Sequence, residues 1–142
     1  MHHKHHHYAL LILNLLEVLF TAYLVIDGGS SALCLAGSDC ASVQNSAYGS
    51  FFGVKLSILG LITFILLLGI FLATEKYQWM YLLFFTGAVL GFIFALYFLS
   101  IQFFILHKFC SSCILIDSIA IAIFIITLFW SRPFRQAVHK IV

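Results

Sequence analysis

Four cysteines carry the most reactive chemistry in this 142-residue chain. Cys34 and Cys40 fall in a polar loop, while Cys110 and Cys113 form a C-x-x-C that opens an apolar stretch. A three-residue spacing puts the second pair on one face of a helix. At a helix N-terminus, unpaired N–H groups and the macrodipole favour thiolate over thiol, and His107 and Lys108 add positive charge nearby. Such a pair opens and closes a disulfide readily, as a redox site must. A structural staple needs the opposite, a low potential and poor access. Four cysteines allow three pairings and also admit a purely structural framework. Zinc is the weaker alternative, because no histidine or second C-x-x-C completes a usual ligand set.

The elements that must position these thiols are apolar helices. Hydrophobic residues make up 63% of the chain and charged residues 8%, outside the range of soluble domains. A spanning helix needs about 20 mostly apolar residues. Four stretches answer to that length, at 8–26, 52–73, 79–106 and 113–130. The third is long enough to tilt or to project beyond the bilayer. None alternates with the period of two that a spanning strand requires. The fold class is therefore an all-α membrane protein, a four-transmembrane-helix bundle with an extracytoplasmic loop between helices one and two. Within that loop, Val43, Ala47 and Phe51 recur at four-residue spacing among polar residues, which predicts a short amphipathic surface helix over 42–52.

Residues 1–7 read as a histidine-rich, tag-like start and are set aside from the fold; a native tract would bind a metal weakly. The transmembrane domain covers 8–130, and 131–142 form a basic tail. The first apolar run has no convincing small-residue cleavage site and reads as a retained helix. Asp27-Gly28-Gly29-Ser30-Ser31 breaks it, and Ser131-Arg132-Pro133 ends the last. Gly87 and Gly91 form a small-xxx-small pair, and Gly53, Gly60 and Gly69 also suit close packing. Lys4, Lys76, Arg132, Arg135 and Lys140 flank one side of the spans; only Lys55 and Lys108 flank the other. The positive-inside rule then places both termini in the cytoplasm and all four cysteines outside, where disulfides persist. A net charge of +2 fits this topology and calls for no nucleic-acid partner.

The order Cys34-x5-Cys40, Ser46-x-Tyr48, Phe52-Gly53 entering a span, and Cys110-x-x-Cys113 on the last helix resembles the vitamin K epoxide reductase family. The likeness covers about residues 8–130, and the short loop between Cys34 and Cys40 is closest to prokaryotic members. Those oxidise thioredoxin-like partners and reduce quinones. Many carry a fused thioredoxin-like domain; here the resemblance implies a separate thioredoxin-like redox protein and a membrane quinone of ubiquinone, menaquinone or vitamin K type. It also implies a relay. A partner thiolate attacks Cys34 and releases Cys40; Cys40 attacks Cys110 and releases Cys113; Cys113, one turn deeper, delivers electrons to the quinone. Ser46 would hydrogen-bond a quinone oxygen or else satisfy nearby backbone. Tyr48, Phe51 and Phe52 would wall the ring.

Asp117 follows Cys113 by four residues, on the same face and near the hydrocarbon boundary. An intramembrane carboxylate is costly and marks a functional site by default. Asp117 would exchange protons with the quinone, or pair with Lys108. Animal members typically carry a tyrosine at this position, so vitamin K epoxide is a second substrate reading rather than the first. Glu17 and Asn14 are expected to hydrogen-bond between helices, and Lys55 to snorkel at the interface. The remaining non-enzymatic reading is a bundle stapled by permanent disulfides.

Overall fold

The computed structural model describes residues 2–27 and 34–130. The breaker residues after Asp27, the Pro133 stop and the basic tail lie outside them. Among the described residues four helices are long and apolar enough to cross a membrane. Helix α1 spans His2–Asp27, α3 Leu56–Ala73, α4 Met80–Ser100 and α5 Ser111–Phe129. A short helix, α2 (Cys40–Gln44), and a two-stranded hairpin, β1 (Ser50–Phe51) and β2 (Val54–Lys55), lie between α1 and α3. Helix α1 packs against α3 and α5, and α4 packs against the same two, so the bundle closes as a ring of neighbours. Large apolar side chains such as Leu19, Leu66, Phe94 and Phe129 point outward along every span. Water would not tolerate that surface, but lipid does.

The histidine tract does not stand apart from this bundle. Nothing between His2 and Tyr8 breaks a helix, so α1 simply begins earlier than the apolar run. His7 stacks on Phe71 with ring centroids 5.0 Å apart, and its Nε2 lies 3.0 Å from Glu75. Trp130 meets the same histidine edge-on, so the start of α1 and the end of α5 share one end of the molecule. All four cysteines lie at the other end.

The surface helix is shorter than its periodicity predicts. Helix α2 covers Cys40–Gln44 and stops at Asn45, and of Val43, Ala47 and Phe51 only Val43 is buried. Residues 46–49 turn instead, with the Gly49 N–H donating to Ser46 O. A Cβ at position 49 would collide with the carbonyl of Gln44, so the turn needs glycine. The hairpin follows, pairing Ser50 with Lys55 and Phe51 with Val54. Its two-residue loop, Phe52-Gly53, has positive φ at both positions (51° and 79°), as a primed turn demands. For Phe52 the left-handed conformation costs about 1–2 kcal/mol.

The glycines divide by role. A Cβ at Gly87 would come within 2.6 Å of the Leu67 side chain, so α3 and α4 approach closely there. Gly60 faces the methyl of Thr21 on α1 at ordinary contact distance. Gly69 and Gly91 open onto free space, so they serve no close approach, and Gly53 serves the turn.

Candidate redox site

The cysteine end is built by two segments that hydrogen-bond to each other. The Asp39 N–H donates to Phe109 O at 2.8 Å, and the Leu35 N–H donates to Ser111 Oγ at 3.1 Å. These contacts hold the Cys34–Cys40 loop against the start of α5. Cys34 is disulfide-bonded to Cys40, and Cys110 to Cys113, with Cα–Cα separations of 6.3 and 5.2 Å. Both pairs join one small apolar cluster: Cys40, Val43 and Cys110 are buried, with Cys34, Leu106 and Cys113 packed around them. Cys34 is part-exposed, whereas Cys40 and Cys110 are almost wholly covered. An attacking protein thiol therefore has access to Cys34 and not to the two sulfurs behind it.

Cys110 is the N-cap of α5, and its sulfur accepts the Cys113 N–H at 3.2 Å. The sulfur thus occupies the place of a capping oxygen, among the unpaired N–H groups of the first turn. The Cys110 N–H donates in turn to Oε1 of buried Gln102 at 3.1 Å. Gln102 lies on a π-helical turn, Ile101–Leu106, that ends α4 and is closed by His107 in the left-handed region (φ 47°). Residues 107–110 are thereby tied to α4 from both ends. No expectation from the chain alone picked out Gln102. Its only signal there is a lone amide in an apolar run. Gln102→Met should leave the buried Cys110 N–H unpaired and destabilise the fold by about 1–3 kcal/mol. Thermal unfolding measures that loss, and faster alkylation of reduced Cys110 in the folded protein should accompany it.

Three hydroxyls surround the Cys40 sulfur: Ser38 at 3.6 Å, Ser112 at 3.8 Å and Ser111 at 3.9 Å. Ser38 Oγ also lies 3.1 Å from Cys34 Sγ and donates to Leu35 O. If the loop disulfide opens so that Cys40 departs, these polar atoms meet its negative charge.

The other expected site residues are spread more widely. Ser46 donates to Val43 O at 2.7 Å, so its hydroxyl satisfies the end of α2. Tyr48 and Phe51 are exposed, and Phe52 stands out at the hairpin tip at 93% exposure with its ring edge-on to Phe51. Asp117 lies on α5 one turn below Cys113, and its Oδ2 is buried with no hydrogen-bond partner. It forms no ion pair with Lys108, which is exposed beyond the helix start. Glu17 and Asn14 also depart from expectation. Asn14 donates back along its own helix to Leu10 O, while Asn14 Oδ1 and Glu17 Oε1 are buried without partners.

The model of the vitamin K epoxide reductase family matches residues 8–128. The chain belongs to that family. A search among curated proteins finds no match. Family membership agrees with the four apolar helices and the two cysteine pairs, and it makes this a multi-pass membrane oxidoreductase. Proteins of the vitamin K epoxide reductase family use quinones as a class. Among the described residues no group of three or more His, Cys, Asp or Glu side chains gathers as a metal site.

Proposed function

We propose that this family member is a thiol–quinone oxidoreductase: it oxidises a thioredoxin-like redox protein through Cys34–Cys40 and passes the electrons through Cys110–Cys113 to a membrane quinone. The observation that carries the reading is the single buried cluster shared by both disulfides, with part-exposed Cys34 at its edge. In the first exchange a partner thiolate bonds to Cys34 Sγ, the Cys34–Cys40 bond breaks, and its electron pair leaves on Cys40. The hydroxyls of Ser111 and Ser112, both within 3.9 Å of the Cys40 sulfur, favour its departure. Cys40 then attacks Cys110, releasing Cys113 one turn deeper. The partner's second thiol resolves the mixed disulfide and frees Cys34. Cys34 then attacks Cys40, breaking the Cys40–Cys110 bond, re-forming Cys34–Cys40 and leaving Cys110 and Cys113 as two thiols, so two partner thiols are oxidised for each pair of electrons delivered.

A quinone in the site would accept two electrons and two protons. The residues present suit such a ring: Cys113 supplies electrons, and the partnerless Asp117 oxygen is a hydrogen-bonding group one turn away. Ser46, Tyr48, Phe51 and Phe52 are the residues on the hairpin side proposed to hold it. The two termini lie in the cytoplasm and the cysteines outside, in keeping with disulfide formation there.

The purified protein in lipid nanodiscs should reduce a ubiquinone or menaquinone analogue when supplied with a reduced thioredoxin-like protein. A parallel assay with vitamin K epoxide separates the second substrate reading. Turnover with the epoxide and none with simple quinones would reverse the preference stated here. Disulfides that resist redox buffers and never exchange would favour a stapled bundle instead.

A further inference from the structure

Glu17 and Asp117 are the only acidic or basic side chains within the apolar cores of the four spans, taken as 8–26, 56–73, 80–106 and 111–129. They sit on α1 and α5, which pack against each other. Glu17 is 1% exposed and Asn14, one turn along α1, is 1% exposed. Glu17 Oε1, Asn14 Oδ1 and Asp117 Oδ2 are three buried oxygens with no hydrogen-bond partner. Interhelical bonding, the ordinary reason to keep polar residues in a span, leaves these oxygens unused. Thr21 does not answer Glu17 either, because its hydroxyl donates to the Glu17 backbone carbonyl.

The placement follows the chemistry. Asp117 stands one turn below Cys113, about 9 Å into α5 at the helical rise per residue. Glu17 lies about 15 Å along α1 from its end at Asp27. The partnerless oxygens thus lie on two helices that pack against each other, inside the spans rather than at their ends. Leaving such buried oxygens bare is costly, so a purely structural role is a poor account of them. Each carboxyl is, however, able to take up and release a proton.

We propose that Glu17 and Asp117 form a two-carboxyl proton station for the Cys110–Cys113 pair. The inference rests on the thiol–quinone reading above. When both thiols close into a disulfide, two electrons leave the sulfurs for the quinone and two protons leave them as well. Asp117 receives protons beside Cys113, and Glu17 is the second carboxyl that lets the station hold and return them. The quinone oxygens take the two protons, so thiols and quinone become disulfide and quinol with nothing left over. Glu17 touches neither sulfur nor quinone; it is a positioning residue acting through Asp117.

The test compares wild-type protein with Glu17→Gln and Asp117→Asn in nanodiscs, first without any quinone. Infrared difference spectra between oxidised and dithiothreitol-reduced protein should show a carboxylic acid carbonyl band that changes with the state of the cysteines. Glu17→Gln, which keeps the shape but cannot carry the proton, should remove part of that signal, and Asp117→Asn a second part. Identical spectra in wild type and both variants overturn the proposal. With quinone added to pre-reduced protein, Glu17→Gln should slow the single turnover by about a hundredfold. Its solvent isotope effect should rise, Glu17→Asp should restore part of the rate, and thiol exchange at Cys34 should not change. An unaltered rate and isotope effect in Glu17→Gln also overturn it. A wild-type protein that never reduces quinone sinks the thiol–quinone reading instead, and the quinone-free spectra still decide the carboxyl station.

Discussion

Replacing Cys113 with alanine is expected to abolish quinone reduction, with a fall on the order of a thousandfold or more in steady-state turnover. In the proposed relay Cys113 is the sulfur released to meet the quinone; it lies three residues after the N-cap Cys110 and four before Asp117. Without it, Cys110 remains as a lone thiol at the N-cap and cannot close a disulfide within its own helix. The loop pair keeps its bond and its access, so one equivalent of partner should still be oxidised at Cys34–Cys40. Stopped-flow measurement of partner oxidation against quinone reduction distinguishes these steps. A Cys113→Ala protein with undiminished quinone turnover rules out the proposed delivery.

Replacing Cys40 with alanine is expected to convert Cys34 into a capture site. Cys34 is then a part-exposed lone thiol with no internal sulfur to displace what it binds. A thioredoxin-like protein lacking its resolving cysteine and activated as a glutathione mixed disulfide should exchange onto Cys34, giving a stable covalent complex. The converse variant, Cys34→Ala, leaves only Cys40, which is 1% exposed, so its capture should be at least about tenfold slower. Non-reducing gels give the yields and peptide mapping gives the linked residue. Faster capture at Cys40 or at Cys110 would reverse the order of the relay.

The spans and the cysteine pairs were legible in the chain because their causes are local. Bilayer thickness fixes a run of about 20 apolar residues, and a C-x-x-C needs only one helical turn. The segment between them was not legible. Val43, Ala47 and Phe51 imitate a helical period, yet the chain turns at Ser46–Gly49 and pairs as a hairpin around Phe52-Gly53. Phenylalanine is a poor signal for a primed turn, where asparagine or glycine is usual. Gln102 was invisible for another reason. Its role depends on the Cys110 N–H, eight residues away across a π-helical turn that hydropathy does not register. Glu17 and Asn14 were visible as costly residues, but the want of partners for their oxygens arises only once α1 packs into the bundle. The start of α1 teaches the converse. The tag-like histidines still supply a ring, His7, that stacks on Phe71.

Communication between the two cysteine pairs is tested most directly in the Cys34→Ala/Cys113→Ala double variant. Only Cys40 and Cys110 then remain, both buried in the same apolar cluster. Under mild oxidation, mass-spectrometric mapping of the monomer should find them joined to each other in a single internal disulfide. Two free thiols, or bridges only between separate molecules, would contradict the passage of electrons from the loop to the last helix.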